Sequence, residues 1–411
     1  MIGFEKFTLP NGLEVVIHSD HSAPLVCLNV LYKVGSRNEH PDKTGFAHLF
    51  EHLMFGGSQN IASFDEPLQQ VGGENNAFTN ADYTNYYITL PSPNAETAFW
   101  LESDRMLSLS FDPQVLEVQR SVVIEEFRQR YLNQPYGDVW LKLRPVAYER
   151  HPYRWPTIGK EISHIEQATM EDVVGFFDQY YHPANAILVV SGDISREKAR
   201  ALTEKWFGPI PGKNRIIAPI PQEPMQTEKR VLHIRGEVPQ NALYKVFHMP
   251  GRMDNRYYAT DLLSDLLGRG NSSYLHQRLV KGKEIFSSLS SYVTGNMDPG
   301  LLVVSGKLNP GISLETAEME LNRAMEGFGE SQIQSDLDKV KIMAESSMVF
   351  SEMELLNRAM NLAFATYLGN TNLVNEEKQN VLAVRAEEIL DLKQNLMVPQ
   401  NSTTLYYETI H

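Results

Sequence analysis

His48, Glu51 and His52 lie close together in the segment GFAHLFEHLMFGG, at a spacing that could bind a metal ion. On a helical wheel of about 100° per residue, these three fall on one side and the apolar residues fall on the other. The apolar residues are Phe46, Leu49, Phe50 and Leu53. Two histidines four residues apart point the same way along a helix, so both imidazoles can reach one cation. Glu51 lies beside them, where a carboxylate could accept a proton from a water molecule. The spacing therefore predicts metal-assisted hydrolysis.

A short helix has to position these side chains. Thr44 is the candidate N-cap, and the pair Gly56 and Gly57 should end the helix after about two to three turns. The alternative interpretation is a pair of surface histidines beside a carboxylate neighbour on the same helix.

A catalytic zinc ion needs a third protein ligand and leaves its fourth position to water. The candidate lies in the helical pattern VLEVQRSVVIEEFRQRYLNQP, which starts at residue 115. One stripe at helical spacing comprises Val115, Gln119, Val122 and Glu126. A carboxylate that continues an apolar face needs a cation or several hydrogen bonds. We therefore predict Glu126 as the third ligand, with Glu125 as the second choice. An ion pair between Glu126 and an arginine is the alternative.

Composition excludes two classes of function. The formal net charge of −14 argues against nucleic acids and anionic membrane surfaces, which both require basic patches. The sequence contains no run of 18 apolar residues, so it predicts no membrane span, and no signal peptide is recognised at its start. We expect a cytoplasmic protein if residue 1 is the natural start. Cys27 is the only cysteine, so a metal would have to be bound by histidines and carboxylates.

Two segments of the chain resemble each other. MEDVVGFFDQYYHPANAILVVSGDI and AEEILDLKQNLMVPQNSTTLYYETI both predict a helix, a Pro-x-Asn turn and a strand, and Pro183 and Pro399 match at an offset of 216 residues. The pattern predicts an α+β fold of two homologous sandwich halves, each with helices against one face of a sheet. Two unrelated α+β domains are the alternative.

A proline-rich stretch without periodicity, GPIPGKNRIIAPIPQEPMQTEK, separates the halves and favours a linker. We predict a metal-bearing domain at 1–212, a linker at 213–228 and a homologous domain at 229–411. The matching helix of the second half, YYATDLLSDLLGRG, has no His, Glu, His set. One half alone therefore carries the candidate site.

HLFEHLMFGGS, followed 74 residues after His52 by Glu126 in QRSVVIEEF, resembles the pitrilysin and insulin-degrading enzyme clan of inverted zinc peptidases. The mitochondrial processing peptidase branch is the closest in size. Five further motifs extend the resemblance over nearly the whole chain: LPNGLEVVI, GGENNAFTNADYTNYY, HPYRWPTIG, YYHPANAILVVSGD and LLGRGNSSYLHQRL.

The resemblance implies one zinc ion per chain, with His48, His52 and Glu126 as ligands and Glu51 as the base that activates water. It also implies that Gln119 lies behind the zinc ion, where the family usually has Glu. Glutamine keeps the shape and a hydrogen bond but loses a charge.

The resemblance further assigns Asn76, Ala77 and Phe78 to an edge strand that pairs with the backbone of a peptide substrate. A plain sheet edge is the alternative.

Family members of this size form half of a clamshell around a chamber. Active relatives carry an Arg and, seven residues later, a Tyr in the second half, and these donors stabilise the developing negative charge. An ungapped alignment places Val280 and Ser287 at these positions, while Arg278 and Tyr292 have the wrong spacing. We therefore expect a heterodimer with a homologous subunit that supplies Arg and Tyr; a homodimer is the alternative.

Three functions remain. The first is a zinc metalloendopeptidase that hydrolyses peptides or unfolded segments in an enclosed chamber. The second is a non-catalytic binding or assembly subunit of the same fold, although such subunits generally lose part of HxxEH. The third is a metal-independent interaction protein. The sequence does not identify the physiological substrate or the cleavage specificity.

Overall fold

The chain combines helices with two β-sheets in a computed structural model that describes residues 1–214 and 219–410. The strands are β1 (Glu5–Thr8), β2 (Glu14–Ser19), β3 (Leu25–Tyr32), β4 (Glu74–Thr79), β5 (Thr84–Pro91), β6 (Ala186–Gly192), β7 (Arg230–Gly236), β8 (Ala242–Met249), β9 (Phe286–Val293), β10 (Gly300–Leu308) and β11 (Ser402–Thr409). The α-helices of the first half are α1 (Phe46–Leu53), α2 (Asp65–Gln70), α3 (Ala95–Leu107), α4 (Pro113–Phe127), α5 (Val139–Ala147), α6 (Ile162–Glu166), α7 (Met170–Tyr180) and α8 (Arg196–Phe207). Those of the second half are α9 (Tyr257–Gly268), α10 (Leu314–Glu326), α11 (Glu330–Ser351), α12 (Leu355–Tyr367), α13 (Leu373–Ala383) and α14 (Ala386–Leu396).

The two sheets repeat one topology. Their strand orders are β1-β2-β6-β3-β5-β4 and β7-β11-β8-β10-β9, so the second order matches the first once β1 is set aside. Each sheet contains one parallel pair, β2 with β6 and β7 with β11, among antiparallel neighbours. Helices α7 and α14 start 216 residues apart, as do α5 and α12. The predicted α+β fold with two homologous halves is confirmed.

Packing divides the chain into two units that exchange one segment each. The first unit comprises Met1–Arg130, Trp155–Pro221 and Val349–Glu376; the second comprises Tyr131–Arg154, Gln222–Met348 and Glu377–His411. Helix α5 thus belongs to the second unit and α12 to the first. The described part of the predicted linker 213–228 has no helix or strand, and residues 215–218 lie outside the described residues. The domain boundaries at 212 and 229 stay a prediction.

Helices cover both faces of the six-stranded sheet. On one face, Ala359, Leu362 and Ala363 of α12 pack against buried residues of the strands, which include Cys27 and Val189. Helices α3 and α8, from the first half of the sequence, pack against the sheet as well. Arg105 of α3 stacks on Tyr86 of β5. Tyr86 pairs with Val30 of β3, which points away from the face that α12 covers. Helix α3 therefore lies on the opposite face. The expected arrangement with helices on one face thus describes the helices of the first half, and α12 adds a second layer.

The five-stranded sheet has the same double cover. Its core contains residues of β8 and β10 together with α9, α10 and α14. Tyr406 of β11 belongs to this core, whereas its neighbour Tyr407 points to the other face and donates a hydrogen bond to Asp138, directly before α5. Helix α5 therefore occupies in the second unit the place that α12 occupies in the first.

Candidate metal centre

Helix α1 separates an apolar face from a polar one. Phe46, Ala47, Leu49, Phe50 and Leu53 are buried in the first unit. The opposite side carries His48, Glu51 and His52, and each of them is half-buried. The helix ends at Leu53, ahead of the two glycines. The predicted division of this segment into two faces is confirmed.

The start of α1 is capped by a residue that the sequence did not reveal. Gly45 is the N-cap, with a φ of 89° that favours glycine. The two side-chain oxygens of Glu39 accept hydrogen bonds from the backbone N–H groups of Gly45 (3.0 Å) and Ala47 (2.8 Å). The predicted cap Thr44 is wrong, because its hydroxyl accepts a hydrogen bond from the N–H of Lys160 (2.9 Å) instead. Glu39 thus supplies acceptors for two buried backbone donors at the helix start that have no acceptor within the helix.

Helix α4 places Glu126 opposite the two histidines. The side chain of Asp112 caps α4 by accepting a hydrogen bond from the N–H of Gln114 (2.8 Å). The buried residues of α4 are Leu116, Val123 and Phe127. The predicted apolar stripe therefore lies one residue away from the buried face: Val122 is 43% exposed, and Gln119 is half-buried.

Glu126 and Glu125 differ in their surroundings. The carboxylate of Glu126 faces α1, whereas Glu125 is exposed and accepts a hydrogen bond from Gln129 (3.1 Å). One oxygen of Glu126, Oε1, forms an ion pair with Arg130 (2.8 Å), which leaves Oε2 directed at the histidines. Glu126 therefore forms an ion pair with an arginine and also faces the two histidines, so the two predicted interactions of this residue occur together.

The three candidate ligands converge on one point. Glu126 Oε2 lies 3.7 Å from His48 Nε2 and 3.6 Å from His52 Nε2. These separations are too long for hydrogen bonds. Two ligands that each bind zinc at 2.0–2.1 Å with tetrahedral geometry are about 3.4 Å apart, so the gap has the size of the ion. Among the described residues, no other group of three histidines, cysteines or carboxylates comes this close together.

The electrostatics of the centre suit a cation. Burial lowers the pKa of His48 to about 3, with His52 and Arg130 contributing in the same direction, so the imidazole is neutral and free to bind a metal. Two imidazoles and one carboxylate form a donor set typical of zinc peptidase sites. The residues present therefore fit a zinc ion.

Glu51 lies beside this set and is held by a neighbour. The hydroxyl of Thr79, the last residue of β4, donates a hydrogen bond to Glu51 Oε2 (2.6 Å). Burial raises the pKa of Glu51, and Glu126 adds to the increase, while Thr79 and His52 oppose it. Sequence reasoning missed Thr79 because the pairing joins residues 28 positions apart through the fold.

The predicted substrate-binding residues lie on β4, which is an edge strand of its sheet. Asn76 is exposed, while Ala77 and Phe78 are half-buried. The side chain of Asn76 accepts a hydrogen bond from the N–H of Ala77 (2.8 Å). The strand that carries these residues ends at Thr79, so the edge runs directly to the site of Glu51.

The four residues of the second unit that were considered at the donor positions have different surroundings. Val280 packs against the apolar core, and Ser287 donates a hydrogen bond to Gln240 (3.0 Å). Arg278 stacks on Tyr274, with 4.6 Å between the guanidinium carbon and the ring centre. Tyr292 is 40% exposed on β9.

Comparison with known proteins identifies relatives along both halves. The model described as Insulinase (Peptidase family M16) matches residues 14–159, and the model described as Peptidase M16 inactive domain matches residues 167–342. Zinc protease PqqE of Helicobacter pylori is 31% identical over 98% of this chain and 92% of its own length. A probable mitochondrial-processing peptidase subunit beta of Arabidopsis thaliana is 25% identical over 72% of this chain and 58% of its own. The crystal structure of a protease from Helicobacter pylori has a TM-score of 0.92 at 29% identity, covering 99% of this chain and 100% of that one.

None of the helices among the described residues combines the length and the apolar character that a membrane span needs.

Proposed function

The chain belongs to peptidase family M16, and from this premise we propose that it is a zinc metalloendopeptidase with Glu51 as the catalytic base. The observation that carries the proposal is the convergence of His48, His52 and Glu126 at separations that fit the edges of a zinc tetrahedron. Its relative from Helicobacter pylori is named a zinc protease.

When bound, a zinc ion supplies a Lewis acid that activates water near neutral pH and polarises a peptide carbonyl. His48 and His52 would hold it as neutral imidazoles, and Oε2 of Glu126 would complete the protein ligands. Glu51 would accept the proton of the attacking water and pass it to the leaving amine. Thr79 keeps one oxygen of Glu51 occupied, which leaves the other oxygen for this proton.

The substrates of the proposed enzyme are peptides or unfolded segments in extended conformation. Asn76, Ala77 and Phe78 would pair with the substrate backbone, because they lie on an edge strand, and the Asn76 side chain would release the N–H of Ala77 that it now accepts from. Backbone pairing does not depend on the side chains of the substrate. The edge strand therefore selects substrates by their extended conformation and not by a particular residue.

The partner that we propose is a homologous subunit that closes a chamber with this chain as one half of a clamshell. A tetrahedral intermediate needs donors for its negative charge. Val280 is committed to the core and Ser287 to Gln240, so neither supplies such a donor. A heterodimer in which the partner brings Arg and Tyr fits these contacts, and the Arabidopsis relative is named a subunit beta.

The function is tested with purified chain, zinc analysis and hydrolysis of a mixed peptide library. We expect one zinc ion per chain, and Glu51→Gln should keep zinc and peptide binding while turnover falls by about 10² or more. Glu125→Gln is the matched control, because it removes an exposed carboxylate outside the converging set. Loss of zinc in Glu51→Gln would make Glu51 a ligand and overturn the assignment of roles.

The partner is tested by assaying the zinc-loaded chain alone and with a co-expressed homologue. We expect turnover to rise only with the homologue present. Full activity of the chain alone, abolished by Arg278→Ala, would favour a homodimer. Zinc binding without hydrolysis under either condition would favour the non-catalytic assembly subunit.

A further inference from the structure

Lys245 occupies a core position in the second sheet. It lies on β8 between Leu243 and Phe247, which both belong to the apolar core of the second unit. Alternate residues of a strand share a face, so the lysine points to the same helix-covered side. Only 4% of Lys245 is exposed. Burying an ammonium group is costly unless it is paired, so this lysine needs an explanation.

Part of the explanation is Glu318 on α10. Its Oε1 contacts the ammonium groups of both Lys245 (2.9 Å) and Lys229 (2.8 Å), and the hydroxyl of Tyr406 donates to Oε2. Burial raises the pKa of Glu318, but the hydrogen bonds from these three groups outweigh it and leave the pKa at about 2. One carboxylate thus serves two ammonium groups, and one positive charge remains uncompensated at this position.

A third ammonium group faces the same space. Lys229, Lys245 and Lys393 line a cavity of about 350 Å³ in the second unit. Lys393 donates a hydrogen bond to the backbone carbonyl of Glu326 (3.1 Å), whose side chain is the acidic group of the lining. Three lysines therefore line one cavity in a chain whose formal net charge is −14, and Glu318 and Glu326 together balance two of the three charges. A cavity of this volume falls in the range of small-molecule sites.

Half of the other lining residues are apolar, and the rest are Asn322, Glu326, Gln394 and Ser402. Phe247, Met325 and Met397 line the cavity beside the lysines. A ligand that satisfies both parts of the lining carries a compact anionic group on an apolar body. A doubly charged group matches three ammonium groups better than a single carboxylate, because each oxygen can accept from a different lysine.

We propose that this cavity binds a small phosphate monoester with an apolar substituent. The phosphate group lies between Lys229, Lys245 and Lys393, and the substituent packs on Phe247 and the methionines. The site belongs to the second unit alone and requires no zinc.

The probes are phenyl phosphate, inorganic phosphate and benzoate, titrated by calorimetry into the full chain at constant ionic strength. We expect saturable binding of phenyl phosphate, weaker binding of inorganic phosphate, which lacks the apolar part, and weaker binding of benzoate, which lacks the second charge. Benzoate binding as tightly as phenyl phosphate would overturn the phosphate assignment. Absence of saturation by phenyl phosphate at about 10 mM would overturn the site.

Lys393→Gln identifies the site, because it removes an ammonium group without touching the buried pair of Lys245 and Glu318. We expect the dissociation constant for phenyl phosphate to rise fivefold to tenfold. This corresponds to a loss of about 1 kcal/mol or slightly more in binding free energy, as is typical of a partly exposed charge. Lys205→Gln is the matched control, since Lys205 pairs with Glu96 in the first unit. Unchanged affinity in Lys393→Gln, or equal loss in the control, would refute the proposal. His52→Ala should keep full affinity, so a failure here is separate from a failure of the zinc centre.

Discussion

Glu39 lies buried at the start of the helix that carries the candidate ligands, and Glu39→Gln should change how the stability of the chain depends on pH. Burial raises the pKa of Glu39 to about 8, although hydrogen bonds from Ala47 and Gly45 act in the opposite direction. The side chain is therefore protonated in the folded protein at neutral pH, whereas in the unfolded chain it ionises near its ordinary value of about 4.3.

The magnitude follows from proton linkage. Between the two pKa values of Glu39 the folded state binds one proton more than the unfolded state, so the free energy of unfolding falls as pH rises. The stability that this group contributes is complete below the unfolded pKa and is lost as pH approaches the folded pKa. Each pH unit in this window costs about 1.36 kcal/mol, which gives about 2–3 kcal/mol between about pH 5.5 and 7.5.

Glutamine is neutral like the protonated acid and does not titrate, but its amide nitrogen cannot accept the hydrogen bond that one oxygen of Glu39 accepts from the backbone. In urea unfolding with a chelator present, the free energy of unfolding of Glu39→Gln relative to wild type should therefore rise by about 2–3 kcal/mol between about pH 5.5 and about pH 7.5, whatever the difference at the lower pH. Exposed Glu171 provides the control substitution Glu171→Gln, which should leave the pH slope unchanged. If wild type instead gains stability over Glu39→Gln as pH rises, the two N–H donors outweigh burial and the reasoning fails.

Three further predictions concern the metal centre. His52→Ala should lose the zinc ion while circular dichroism stays unchanged, because the buried face of its helix is untouched; stoichiometric zinc in this variant would exclude His52 as a ligand. Thr79→Val should lower kcat about tenfold with zinc retained, since Glu51 loses its hydroxyl donor, and Thr79→Ser should restore most of it; equal kcat in all three would remove Thr79 from the site. Arg130→Gln should change zinc affinity by less than about tenfold, because Glu126 loses a partner that orients it while repulsion between the guanidinium and the metal ion is removed, and the guanidinium is mostly exposed; a complete loss of metal would show that the ion pair is essential.

Local geometry explains what could be predicted of the centre from the sequence. His48 and His52 follow from helical spacing alone, because the residues lie on one short element. Glu126 required a second helix and was reached through its spacing and the resemblance. Glu39 and Thr79 could not be found this way, since each contacts α1 through a turn or strand whose path depends on the whole fold. The pair Glu126 and Arg130 did leave a signal, as the two residues are four apart on one helical pattern.

The exchanged helices show a limit of another kind. No local pattern in the segments that form α5 and α12 says which sheet each helix covers. The strand β6, with the run AILVVSG, is buried along its entire length. A strand of this kind needs cover on both faces, as in parallel sheets. The continuous apolar run was therefore evidence for a second layer, although not for its origin in the other half of the sequence.

Helix α9 shows how the duplicated scaffold was put to different use. It carries Asp261 and Asp265 four residues apart, the spacing that His48 and His52 have on the equivalent helix α1. Burial raises the pKa of Asp261 to about 6, and Asp265 adds to the increase. Asp265 pairs with Arg269 one turn further on, at 2.9 Å. The second half thus supplies its own cation from the helix itself, whereas the first half combines neutral imidazoles with a carboxylate from another helix. The same i, i+4 spacing thus occurs on both helices, and the residue types decide its use: on α9 one carboxylate pairs with a guanidinium, whereas on α1 two imidazoles face a carboxylate at separations that fit a metal ion.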